Sequence, residues 1–202
     1  MLYRLFGFSK APQYVIHVVI VATYRGGEKM EFTVQLDPRG FSKKPTEEET
    51  RIIRKTIKPV ELSLFELRDK LCYGHTVCPA IFEETGLFAE QQVFFVDVDG
   101  GRTVEENLKI AEERKILPNI IYKTFSGNAI NQKHRLVFVL DRPIRNIRER
   151  NRLQRQLNDI FGGDERTSDE KRLFYGGNVC YFYNPFDCLC NLKGGNICNA
   201  AI

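Results

Sequence analysis

The run Val93-Phe94-Phe95-Val96-Asp97-Val98-Asp99 constrains the chain most. It is apolar on both faces until its aspartates, so it reads as a central strand covered on both sides. Gly100-Gly101 then breaks it. Residues i and i+2 of a strand share a face, so Asp97 and Asp99 point one way while Val98 points into the core. Two carboxylates side by side repel each other unless something cationic sits between them, and oxygen donors suit Mg²⁺ or Mn²⁺. The plainer alternative is an acidic turn at the strand exit, with Asp side chains bonding local backbone ahead of the glycines.

Around this strand the pattern alternates. Residues 14–24 and 30–36 flank Gly26-Gly27 and read as a β-hairpin. Thr46 before three glutamates marks a helix start, and Pro59 ends that segment. Ser63 caps a second helix carrying Leu64, Leu67 and Leu71, with Gly74 as its stop. Residues 79–88 read as a loop or short helix. A helix over 104–115, a strand over 119–124, a buried strand over 136–140 and a long basic helix over 145–161 follow. Residues 173–175 are the last expected strand, stopped by Gly176-Gly177. Alternating strands and helices give the class α/β or α+β with a mixed sheet. An N-terminal lobe over 1–90 and a catalytic lobe over 91–202 are expected.

With 43% apolar and 28% charged residues in 202, the chain is a folded domain rather than a disordered one. A net charge of +4 permits a polyanionic partner without requiring one. No apolar run reaches the ~20 residues of a membrane span, and the first residues lack a secretory pattern, so a cytoplasmic protein without a membrane partner is expected. Of six cysteines, Cys180, Cys188, Cys190 and Cys198 crowd the C-terminus. Cys-x-Cys is an awkward bite for a tetrahedral ion, which favours ordinary reduced thiols over structural zinc.

Further motifs accompany the acidic pair. Ser126-Gly127-Asn128 precedes Lys133-His134-Arg135 at the head of a strand, and Asp169-Glu170-Lys171-Arg172-Leu173-Phe174-Tyr175-Gly176 comes later. In this order, over residues 70–180, they resemble the archaeo-eukaryotic primase superfamily, most of all the primase-polymerases of phages, plasmids and integrated elements. The resemblance implies a two-lobed core with an RRM-like sheet and template-directed nucleotidyl transfer in DNA replication. It implies two divalent ions, Mg²⁺ or Mn²⁺, held by Asp97, Asp99 and Asp169, with His134, Arg135, Lys171, Arg172 and Ser126 on the nucleotide. Implied partners are single-stranded DNA template and primer, ribo- or deoxynucleoside triphosphates and a replicative helicase. The chain departs from the family pattern at Gln132, where a small residue is usual, and at Glu170-Lys171 after Asp169. Asp164 and Glu165 therefore remain substitutes for the third acid.

Arg142, Arg145, Arg148, Arg150, Arg152 and Arg155 line the basic helix, a face suited to a phosphate backbone or simply a solvated one. Lys123, Arg145, Arg148 and Arg152 are the candidate DNA contacts. Two other functions compete. Phe94-Phe95-Val96-Asp97-Val98-Asp99-Gly100 is also similar to the first motif of haloacid-dehalogenase-like phosphatases, with Asp97 as nucleophile and Asp99 as general acid/base. The other competitor is a primase-like module that binds nucleic acid without catalysis.

Overall fold

The structure, a computed structural model, describes residues 31–128 and 132–185, together with the backbone of two short strands at 188–191 and 197–200. The chain is α+β, with two largely antiparallel sheets flanked by helices. Three strands make the smaller sheet, in the order β2 (Lys58–Ser63), β1 (Glu31–Gly40), β3 (His75–Cys78). The hairpin partner expected for β1, over 14–24, lies outside the described residues; among the described ones β1 pairs with β2 and β3.

The larger sheet is built on β5 (Phe88–Val98) and β7 (His134–Ile144), which run antiparallel. β4 (Ala80–Phe82) flanks β5. On its other edge β7 pairs β6 (Ile120–Thr124) along its first half and β9 (Cys188–Asn191), in parallel, at Leu140. β8 (Gly177–Tyr183) extends the sheet from β6, and β10 (Ile197–Ala200) pairs β9.

Helix starts follow the expected chemistry. Thr46 and Ser63 accept backbone N–H bonds from Glu49 and Glu66, whose carboxylates bond back to the cap N–H groups. These open α1 (Glu47–Thr56) and α2 (Leu64–Cys72). Thr103 and Glu106 do the same for α3 (Val104–Arg114), and Asn146 caps α4 (Ile147–Phe161). Among the described residues no helix is long and apolar enough to cross a membrane.

β5 is covered on both faces, as its sequence demands. Val93 and Phe95 join Phe32, Val34, Leu67, Leu71, Tyr122, Val137 and Phe174 beneath the smaller sheet and α2. Phe94, Val96 and Val98 join Leu136, Phe138, Leu153, Leu157 and Phe161 under α3 and α4.

Three local expectations change. Residues 80–82 form an edge strand rather than a loop or helix, because their backbone finds β5. Residues 173–175 make a single bridge, Val77 to Phe174, rather than a full strand. Gly176-Gly177 does not stop the sheet: a Cβ on Gly177 would overlap the Lys123 carbonyl, so glycine here lets β8 pass close against β6.

Candidate active site

The end of β5 and the start of β7 lie side by side, with Asp97 opposite Arg135 and Val98 opposite His134. Alternation puts Asp97 on the face of Phe95 and Arg135 on the face of Val137, which is one face of the sheet. The two side chains meet there. Arg135 Nε donates to Asp97 Oδ1 at 2.9 Å and Nη2 to Oδ2 at 3.0 Å, the paired geometry in which both carboxylate oxygens are taken. Asp97 is 4% exposed and Arg135 8%.

The remaining guanidinium nitrogen, Nη1, donates to the Tyr122 hydroxyl at 3.3 Å and to the Tyr175 carbonyl. Tyr122 OH also donates to that carbonyl, at 3.1 Å. Burial opposes the charge on Arg135, but the charges and hydrogen bonds of Tyr122 and Asp97 outweigh it and hold its pKa above the ordinary arginine value. Burial pushes the Tyr122 phenol up to about 12, so it stays a protonated donor. One residue beyond β5, Asp99 is more open, its side chain 55% exposed, and Lys133 Nζ lies 3.4 Å from its Oδ1. Each strand-end carboxylate thus has a cation from the start of β7 or the residue just before it.

Asp164 is the acid that the fold brings beside this pair. Its backbone N–H donates to the Asp97 carbonyl at 3.0 Å, and its carboxylate accepts the Arg166 N–H as the cap of a 3₁₀ turn, Glu165–Ser168. Glu165 is exposed in that turn. Asp169 closes the other end of the turn, where its carboxylate accepts the Lys171 N–H at 2.9 Å. Carboxylates are the right donor type for a hard divalent ion, but among the described residues the arrangement does not bring three of them together. It does not offer the expected cage. Among the described residues no three His, Cys, Asp or Glu side chains come together as a metal site, and each Asp97 oxygen accepts an Arg135 N–H.

His134 is not beside Arg135 in space, although it precedes it in sequence. Successive strand residues face opposite sides, so its ring is turned toward α3, fully buried. Nε2 meets the Asn107 amide nitrogen at 2.9 Å and Nδ1 the Gln132 carbonyl oxygen at 2.6 Å, which assigns the proton to Nδ1. Gln132 Oε1 also accepts the Val104 N–H at the start of α3. The expected contact of His134 with a nucleotide on the Asp97 face does not follow from this placement; Arg135 is the motif residue on that face.

Burial pulls the His134 pKa below the ordinary 6.5, so the folded protein holds it neutral. As pH falls through that ordinary value the unfolded chain takes up a proton that the folded chain refuses, and stability declines. The expected slope approaches about 1.4 kcal/mol per pH unit. Urea unfolding at several pH values should show that slope in wild type and a flatter line in His134→Gln.

The other expected contacts are scattered. Ser126 is exposed in the turn after β6, with its Oγ 3.4 Å from Thr124 Oγ1. Lys123 is half-buried and pairs across from His134. Lys171 lies over the Phe82 ring, and Arg172 is half-buried two residues before Phe174. Arg148 and Arg152 are exposed on α4, and Arg145 is exposed and paired with Glu90 at 3.0 Å. α4 packs on the sheet face away from Asp97, so this stripe and the Asp97–Arg135 pair are on different sides.

Arg150 is no part of the stripe. It is fully buried, donating from Nε to Gln91 at 2.8 Å and from Nη1 to Asn151 and the Ser168 carbonyl, with Nη2 unpartnered. Its helical spacing with Leu153, Leu157 and Phe161 is the sequence signal for that inward face. Tyr122 is the site residue that sequence reasoning missed, while Tyr175, part of the Asp169–Gly176 motif, enters the site through its carbonyl. An open cavity of about 380 Å³, lined by Lys44, Pro45, Glu47, Thr50, Arg51 and Tyr175, lies on the other side of Tyr175, whose hydroxyl bonds Thr50 Oγ1 at 3.0 Å.

Read as a phosphatase nucleophile, Asp97 would have to reach phosphorus from a carboxylate that is 4% exposed and held through both oxygens by Arg135. Comparison with known proteins finds no matching family model and no matching curated protein. Among solved structures, the AEP domain of the primase-polymerase of cyanophage S-2L is similar, with a TM-score of 0.41 and 13% sequence identity, over 78% of this chain and 82% of that one.

Proposed function

We propose that this chain is a primase-polymerase: a nucleotidyltransferase that seats a nucleoside triphosphate at the open end of β5 and β7 and extends a nucleic-acid strand against a single-stranded DNA template. The observation that carries the reading is the meeting of two strand-end carboxylates with two cations at one sheet end, Asp97 with Arg135 and Asp99 with Lys133. A polyphosphate needs cationic donors, and Lys133 is the accessible one, with Arg135 immediately behind it. Lys44 and Arg51 line the cavity that Tyr175 borders, together with Glu47. Asp99, half-exposed, is the carboxylate positioned to meet a primer hydroxyl or its counter-ion. The arginine stripe of α4, on the other side of the sheet, suits a phosphate backbone rather than the reacting nucleotide.

A module that binds nucleic acid without catalysis is the second reading, favoured by the closure of Asp97 under Arg135. Primer extension separates the two. Wild-type protein, given a primed single-stranded template, labelled nucleotides and Mg²⁺ or Mn²⁺, is expected to lengthen the primer. The Asp97→Asn, Asp99→Asn double variant should lose that activity by about a thousandfold while retaining the DNA. Template binding without any extension by wild type would establish the binding module instead.

A further inference from the structure

Two thiols that the proposed reaction does not use meet on the Asp97 face of the larger sheet. Cys72 is the last residue of α2, and α2 packs against β8. Cys180 of β8 stands opposite Tyr122 of β6 and packs on the apolar cluster that holds Leu71, Phe95 and Tyr122. The two side chains are hydrogen-bonded to each other, with the Cys72 S–H donating to Cys180 Sγ. The Phe182 carbonyl oxygen, 3.2 Å from Cys180 Sγ, accepts the Cys180 S–H in turn. Both thiols are only half-buried. Cys78 shows the contrast: it is 3% exposed and burial pushes its thiol up to about 11, the state of an inert core cysteine. At Cys180 the bond from Cys72 works against burial and holds the pKa below the ordinary thiol value. The same bond, with burial, raises that of Cys72. Arg68, one helical turn before Cys72, places its positive charge in favour of the thiolates, and Asp69, 2.7 Å from Arg68, opposes it.

We propose that Cys72 and Cys180 are a thiol-modification site that closes reversibly to a disulfide, with a small-molecule disulfide as its oxidant. Cys180 is the attacking sulfur and Cys72 the resolving one. The Cys180 thiolate attacks one sulfur of the small disulfide, forms a mixed disulfide and expels one thiolate. Cys72 then gives up its proton and attacks the Cys180 sulfur, forming the internal bond and expelling the second thiolate. Together the two cysteines lose two protons and two electrons, and the small disulfide takes up both as two thiols. An excess of small thiol runs the same steps backwards. The closed bond fastens the end of α2 to β8 beside Tyr122, whose hydroxyl accepts from Arg135. It also closes a loop of about 110 residues, which restricts the unfolded chain and so favours the folded one. No nucleotide or template takes part, so the site stands whether or not the proposed reaction does.

The test incubates the folded wild-type chain with oxidised glutathione, blocks the remaining thiols with iodoacetamide and maps the peptides without reduction. A linked Cys72–Cys180 peptide is expected, and it should disappear after dithiothreitol. Cys72→Ser removes the resolving thiol, so glutathione should stay attached to Cys180. Cys180→Ser removes the attacking thiol, and its Cys72 should take up glutathione about tenfold or more slowly than Cys180 does in Cys72→Ser. The linked wild type should melt about 5 °C or more above the reduced protein. Recovery of Cys72 and Cys180 from wild type as separate blocked or glutathionylated peptides overturns the proposal, as does a link from Cys180 to Cys188, Cys190 or Cys198 in place of Cys72. A linked protein that melts no higher than the reduced one also overturns it, because the bond would then have formed by distorting the fold.

Discussion

Replacing Arg135 by methionine is expected to lower the unfolding free energy by about 3–5 kcal/mol, the range for removing one partner of a buried ion pair. The loss has identifiable parts. Asp97 would keep its burial and lose both guanidinium bonds, and the Tyr175 carbonyl would lose a charged donor. The ring of Phe174, 5.5 Å from the guanidinium carbon, would lose a cation neighbour. Most of this penalty is the unpaired carboxylate rather than the worth of the bridge. Asp97→Val together with Arg135→Met should therefore recover much of it, and urea unfolding of both single variants and the double measures the recovery. If Arg135→Met alone unfolds at the wild-type urea concentration, the pair is not buried as described.

Phe174→Ala should be comparably severe, about 3–5 kcal/mol by the usual cost of emptying a buried aromatic site. Phe174 stacks on Phe95 of β5 with ring centroids 4.6 Å apart, and its backbone makes both bonds of the bridge to Val77 of β3. One residue thus ties the smaller sheet to the larger. Its loss would also release Tyr175, whose carbonyl anchors Arg135. Phe174→Leu keeps much of the volume and should lose markedly less in thermal unfolding. A small loss in Phe174→Ala would mean that the two sheets are held together elsewhere.

Much of this fold was legible in the sequence because its signals are local. A hydroxyl before three glutamates placed the start of α1 at Thr46, and Ser63 ahead of Leu64, Leu67 and Leu71 placed that of α2. The doubly apolar run of β5 marked a strand with two covered faces before either cover was known. The repulsion between Asp97 and Asp99 pointed to a divalent ion, whereas the structure sets Arg135 against Asp97 and Lys133 against Asp99. Which cations they are depends on register, a pairing across about 38 residues that no local pattern encodes. Arg135 faces Asp97 because β5 and β7 are antiparallel with residue 97 opposite 135.

His134 and Arg135 adjoin in the motif and part company in the sheet for the same reason. Arg150 was hidden because a charge run invites an outward reading, although its spacing with Leu153 and Leu157 places it inward. β8 was missed because a glycine pair reads as a break where it is the clearance for a neighbouring strand.

In the proposed reading, nucleotide binds at the β5–β7 sheet end on the Asp97 side and not on the arginine stripe of α4. Equilibrium binding of a fluorescent nucleoside triphosphate to wild type, Lys133→Glu and Arg152→Glu tests it most directly. Reversing charge at Lys133 is expected to weaken binding by about tenfold or more, roughly 1.4 kcal/mol, while the same change at Arg152 leaves it within about twofold. The opposite pattern, with Arg152→Glu abolishing binding and Lys133→Glu harmless, would contradict it.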